Sequence, residues 1–370
     1  MTARTVSKMT PGGLVRSLAP VVVLLLLLVV PRLSIEVPVL FNGPLDRPGN
    51  LRLLAVGFTL GIAALSYNLL FGFTGVLSFG HALFFGAGVY LPAIALRHWE
   101  WSVVPSLLFG LAGGTVLALA VGALSLRTEG VYFAMVTLAF AQAGAVIVGK
   151  NVGDLTGGEE GLSLRTRGLP EWMVGVVNTD NLYWLALATL IVVYLLAWRL
   201  VTSPVGQVWK GIRENERRVE MLGLRPYVFK LLAFVISGAL ATCGGMVYLF
   251  LASGATPRVV GANFTVTLLL MVIIGGSGSL WGPVAGAMLY HFLDIRLTDW
   301  AASDTVASLP TVLSRPLRDP LFIFGVIFIL LVMFFPRGLA GAFGGRSRSL
   351  RHLFGGAVAR PAGVRGNTTE

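Results

Sequence analysis

Ser203-Pro-Val-Gly-Gln-Val-Trp-Lys-Gly-Ile-Arg-Glu-Asn-Glu-Arg-Arg-Val-Glu-Met-Leu-Gly223 is a charged island between two apolar runs, Tyr183 to Trp198 and Leu231 to Phe250. Lipid cannot accommodate so many charges, so the island is solvated or covered by a partner, and the flanking runs cross a membrane. Ser203 and Pro204 form an N-cap and first-turn pair, and Gly223 is a natural C-cap with Pro226 just beyond. Val205, Val208, Trp209, Ile212, Val219 and Leu222 recur at helical spacing on one face. The pattern predicts an amphipathic helix. Its other face carries charge of both signs, which suits a docking groove on a protein; a helix resting on lipid would be almost wholly basic there. A helix lying at the membrane interface is the competing reading.

Composition agrees with a membrane chain. Of 370 residues, 55% are hydrophobic and 12% charged, against about 25% charged in soluble domains, and the mean hydropathy is +0.81. Strand-like alternation is absent, which leaves an all-α polytopic helix bundle as the way to satisfy the backbone in lipid. Apolar runs predict spans at Leu14–Leu33, Arg52–Gly72, Gly80–Leu96, Val103–Leu126, Val131–Gly149, Leu182–Leu200, Lys230–Leu251, a Gly-broken stretch Phe264–Leu293, and Leu321–Pro336. That is nine transmembrane segments, or ten if the broken stretch is a hairpin of two spans; a re-entrant pair is the other possibility. Arg16 followed by Leu18–Val30 lacks a small-residue cleavage pattern and reads as a retained first span.

Charge fixes the expected orientation. With the N-terminus (1–13) inside, the acidic loop Lys150–Asn181 falls outside, while the island (201–229) and the Arg-rich tail, expected to be disordered over 340–370, fall inside. The whole chain reads as one membrane domain. The net charge of +11 follows this positive-inside placement, so nucleic acid is not an expected partner. Cys243 is alone, and no His-Glu-x-x-His pair exists, so neither a disulfide framework nor a zinc protease is expected.

Three short motifs have competing readings. Gly144-Ala-Val-Ile-Val-Gly-Lys150-Asn151 imitates a phosphate loop, but it closes an apolar span instead of following a strand, and Asn151 replaces the magnesium-binding hydroxyl. Gly275-Gly-Ser-Gly278 with His291 imitates an intramembrane serine protease; a tight turn between two helices is the plainer reading. His81 stands at the expected cytoplasmic start of a span, where it either lines a gate or hydrogen-bonds a helix N-terminus and fixes packing near Gly80. Buried carboxylates, the usual mark of ion-coupled carriers, are nearly absent. Span centres offer hydroxyls and amides instead, with Ser78, His81, Thr137 and Gln142 as candidates for the path or its gate. An external energy source is therefore favoured over an ion-coupled secondary carrier. Gly75-Val-Leu77 running into Gly86–Tyr90 is echoed by Gly278-Ser-Leu280 running into Gly286–Tyr290; the echo is either an internal repeat or ordinary packing glycine.

A set of ordered motifs resembles the LivM-type permeases of branched-chain amino-acid ABC importers. They are Tyr67–Tyr90, Tyr132–Phe140, Leu155–Leu162, Ile212–Gly223, Leu231–Ser237, Leu269–Val272 into Gly278–Pro283, and Phe335–Leu339. The resemblance implies a plasma-membrane (inner-membrane) permease subunit without catalysis or cofactor of its own. It implies four kinds of association: a second, LivH-type permease, two cytoplasmic ATP-binding subunits, an external substrate-binding protein, and membrane lipid. It also implies that the segment matching Arg213 to Gly223 seats on the ATPase, which marks Arg213, Glu214, Asn215, Glu216, Arg217, Glu220 and Gly223 as coupling residues. The Glu-Ala-Ala pattern of ABC permeases is here Glu220-Met-Leu-Gly223. The same family includes urea and short-amide permeases, and the acidic loop Thr156–Gly161 is closer to the amino-acid members.

Overall fold

The computed structural model describes residues 26–32, 43–164, 170–173, 178–301, 320–334 and 338–343. The chain is a polytopic helix bundle. Twelve helices are labelled here: α1 Pro48–Asn68, α2 His81–His98, α3 Val103–Ser125, α4 Gly130–Gly149, α5 Thr179–Thr202, α6 Pro204–Glu214, α7 Glu216–Met221, α8 Pro226–Ala252, α9 Ala262–Gly275, α10 Trp281–Ala301, α11 Pro320–Phe334 and α12 Gly338–Phe343. Among the described residues, five helices are long and apolar enough to cross a membrane: α1 with the π-turn that extends it to Phe73, and α3, α4, α5 and α8. Most of the first expected span lies outside the described residues. Its end, 26–32, is helical and packs on α5, where the Tyr183 hydroxyl donates to the Leu27 carbonyl at 2.7 Å. The tail beyond 343 and the N-terminal 1–13 also lie outside.

Helices α1 and α8 form the centre, with 83% and 72% of their apolar windows buried, against 28% for α3 and α4. Lipid provides no hydrophobic drive between helices, so close backbone approach and hydroxyl bonds hold them together. Gly88 of α2 lies against the Thr242 carbonyl of α8, and Gly245 of α8 lies against the Phe85 carbonyl. The Thr242 hydroxyl donates to the Phe84 carbonyl at 3.1 Å. Trp99, Trp101 and Phe109 cluster at one end of the bundle, as interfacial aromatics do. At that same end, a two-residue antiparallel pairing joins β1 Leu162–Ser163 to β2 Gly254–Ala255.

The Gly-broken stretch resolves into the hairpin α9 and α10, joined by a turn at 276–280 in which Gly276 and Gly278 take positive φ of 103° and 79°. Only glycine holds such angles without strain. The two arms touch backbone to backbone, because Gly286 packs on the Met271 carbonyl.

Candidate functional site

The island emerges from α5 through the expected cap: the Ser203 hydroxyl accepts from the Gly206 amide at 3.4 Å, and Pro204 opens α6. The amphipathic pattern holds for most of its length, since Trp209, Ile212 and Val219 are buried. The Trp209 indole donates to the Phe229 carbonyl at 2.9 Å and seats α6 against the start of α8. Gly223 ends the segment with φ +79° and its amide bonded to the Glu220 carbonyl at 2.9 Å, a left-handed helix end.

Two features differ from the sequence expectation. The island is two helices, broken at Asn215, which is extended at φ −163° and ψ 102°. Its side chain accepts from the Arg218 amide at 3.1 Å, so the asparagine prefers capping α7 to continuing α6. Leu222, expected on the buried face, is 78% exposed beside Met221 at 82%, because the break turns the last residues away from the bundle. These two apolar side chains form a bare tip flanked by exposed Arg217, Arg218 and Glu220.

The candidate coupling residues therefore divide. Glu214, Arg217 and Glu220 are exposed, as is Gly223. Glu216 pairs with Lys230 of α8 at 2.5 Å, and Asn215 is the internal cap. Arg213 is exposed as well, yet its guanidinium Nη1 donates to the Gly72 carbonyl. A Cβ on Gly75 would lie 3.1 Å from Arg213 Cγ, and one on Gly278 would lie 2.8 Å from the same Nη1. Island, α1 end and hairpin turn thus meet at one junction. The sequence did not mark Asn68, yet it ties that junction together from full burial. Its Oδ1 accepts from the Gly278 amide at 2.9 Å and its Nδ2 donates to the Ser279 carbonyl at 2.7 Å. The available signal was an amide interrupting an apolar run.

The candidate path residues also separate. Ser78, His81 and Thr137 come together at the start of α2. The Phe79 amide donates to Thr137 Oγ1 at 3.1 Å, the Gly80 amide to Ser78 Oγ at 3.1 Å, and the Ala82 amide to Thr265 Oγ1 of α9 at 2.9 Å. A helix opening inside a bundle must have its free N–H groups satisfied, and hydroxyls from two other helices do this. The Ser66 hydroxyl donates to the Ala63 carbonyl at 2.7 Å, so its contact with His81 Nε2 at 2.9 Å is one in which the imidazole donates. Thr265 lies ten residues before the end of α9, so the start of α2 is about 15 Å from the hairpin turn at 1.5 Å per residue. Gln142 is elsewhere, exposed on the outer face of α4.

The two enzyme-like motifs do not assemble. Gly144 to Gly149 is the last turn of α4. Asn151 takes φ 51° and uses its Oδ1 to bind the Thr156 and Gly157 amides at 2.9 and 2.8 Å. Ser277 is exposed in the hairpin turn, while His291 is ten residues into α10, roughly 15 Å along its axis.

Comparison with known proteins adds to this geometry. Residues 50–335 match the family model described as branched-chain amino acid transport system / permease component. Over 255 residues the chain is 29% identical to the high-affinity branched-chain amino acid transport system permease protein LivM of Escherichia coli (strain K12), covering 62% of this chain and 59% of that relative's length. It is 25% identical over 321 residues to a probable LivM of Methanocaldococcus jannaschii, covering 75% of this chain and 89% of the relative. It is also 25% identical over 267 residues to the autoinducer 2 import system permease protein LsrC of Escherichia coli (strain K12 / DH10B), covering 67% and 70%. No solved structure matches.

Proposed function

The chain belongs to the branched-chain amino acid transport system / permease component family, and from that premise we propose that it is the membrane subunit of an ATP-driven importer of branched-chain amino acids. Its partners on this reading are a second permease, two ATP-binding subunits and an external substrate-binding protein. The termini and the island lie in the cytoplasm, and the loop bearing Glu159 and Glu160 faces the binding protein. ATP splitting belongs to the partner chains.

The observation that supports the reading best is the bare tip of the island. Met221 and Leu222 are the two most exposed large hydrophobic residues in the described chain, and they sit among charges on a segment keyed into α8 by Trp209 and Lys230. An apolar knob with a charged rim fits a groove on a folded protein. ATP binding closes the two ATPase subunits, moves the island and swings α5 and α8, so that access to the path alternates. Selection among substrates rests chiefly with the binding protein.

The test is reconstitution with the ATPase partners in vesicles. Met221→Glu combined with Leu222→Glu is expected to abolish stimulated ATP hydrolysis and leucine uptake while the chain still reaches the membrane. Normal hydrolysis and uptake in that variant exclude docking at the tip. Competition by leucine, isoleucine, valine, urea and short amides reads the substrate, and uptake of urea without leucine would replace the amino-acid assignment.

A further inference from the structure

We propose that Arg213 is the positioning residue that passes island movement to the hairpin α9–α10 and, through Thr265, to the start of α2. This rests on the importer reading but goes beyond it, because it removes Arg213 from the docking set and gives it an inward task.

Beside its buried apolar face, the island has two polar grips on the bundle among the described residues. One grip is on α8, through the Trp209 indole and the Glu216–Lys230 pair. The other is Arg213, whose guanidinium bonds the Gly72 carbonyl and lies against Gly278. Gly72 belongs to the π-turn Leu69–Phe73 that ends α1, and such turns are rare and concentrate at functional sites. The Gly72 turn and the hairpin turn behave as one body, since buried Asn68 bonds both Gly278 and Ser279. Pulling on Arg213 therefore pulls on the hairpin. The hairpin is stiff, because its arms are in backbone contact at Gly275, Gly282 and Gly286. At its far end, Thr265 holds the Ala82 amide at 2.9 Å. Thus a continuous series of bonded groups runs from the island to the start of α2, about 15 Å from the hairpin turn. Glycine at 75 and 278 leaves the space that Arg213 occupies, and glycine at 72 leaves the space for Asn68 and the Gly278 amide.

Contiguity alone does not establish coupling, so the experiment separates hydrolysis from transport. In vesicles containing the full complex, Arg213→Met keeps the stem that packs on Gly75 and loses the N–H donors. Uptake is expected to fall roughly tenfold, the scale of one charge-assisted hydrogen bond, while binding-protein-stimulated ATP hydrolysis stays within about twofold of the parent. Parental uptake in R213M overturns the relay. Loss of hydrolysis and uptake together, in a complex that still assembles, also overturns it by making Arg213 a docking residue. Thr265→Val tests the other end with the island untouched and is expected to show the same split; full uptake in T265V overturns the relay even if R213M does not accumulate. A parent chain that supports no ATP-driven uptake overturns the importer reading and the relay with it, whereas a failure confined to these variants leaves the importer reading standing.

Discussion

At the scale of single residues, the bundle depends on positions where a side chain would not fit. Gly88 and Gly245 let α2 and α8 touch backbone to backbone, the kind of contact that holds helices together in lipid. Gly245→Val is expected to cost about 1–3 kcal/mol through overpacking, read as a lower melting temperature in detergent. Gly325→Ala, at a position inside α11 with nothing within 4 Å of the added atom, should melt no lower than the parent. Thr137→Val leaves the part-buried Phe79 amide without its acceptor and is expected to cost about 1–3 kcal/mol, with Thr137→Ser restoring most of it; equal melting of the two variants would refute the capping role. The sequence singled out Ser78, His81 and Thr137 as polar residues in apolar spans. It could not show that they meet, because Phe79 and Thr137 are 58 residues apart and only the packing of α4 on α2 joins them. Asn68 was missed for the same reason, its partners lying in the hairpin more than two hundred residues on.

At the scale of elements, the island was legible in its caps and its buried face, and its break was not. Helical spacing continues through Asn215, and only the side-chain bond to the Arg218 amide shows that the residue starts a new helix. Asn215→Ala is expected to destabilise α7 by about 1 kcal/mol; amide exchange over 216–221 should rise and ATPase stimulation should drop. Unchanged exchange would contradict the cap. Helix α4 makes a different demand. Its outer face carries Tyr132, Met135, Gln142, Val146 and Ile147, and an amide left in hydrocarbon without a partner is costly. That face is therefore expected to meet water or a protein neighbour. In a chain whose single native Cys243 is replaced by serine, Gln142→Cys should react with a water-soluble maleimide in the isolated subunit's vesicles or be shielded from it in the full complex. Leu108→Cys and Val116→Cys, on the apolar outer face of α3, should stay unreactive in both, and a silent Gln142→Cys in both would assign the face to lipid.

At the scale of the whole molecule, hydropathy located the helices because the bilayer sets their length, and it left the hairpin ambiguous because glycine interrupts the apolar count without saying which way the chain turns. The structure answers with geometry: positive φ at Gly276 and Gly278, and the Asn68 bonds that bring the turn beside the island. The β1–β2 pairing and the Glu159–Glu160 loop share the end of the bundle with Trp99 and Trp101, and the Arg97 side chain reaches the Ser163 carbonyl there at 3.0 Å. Arg217, Arg218, Arg225 and the island tip belong to the opposite end, where the Tyr227 hydroxyl meets the Ala123 carbonyl at 3.0 Å. Cationic residues are retained on the cytoplasmic side, so Arg217→Cys is expected to label only from the cytoplasmic face and Glu160→Cys only from outside, in the background lacking Cys243. Labelling of both from one side would break the assigned crossing by α5. Labelling with the sides exchanged would invert the molecule, place the island away from any cytoplasmic ATPase, and remove the physical basis for ATP-driven coupling through it.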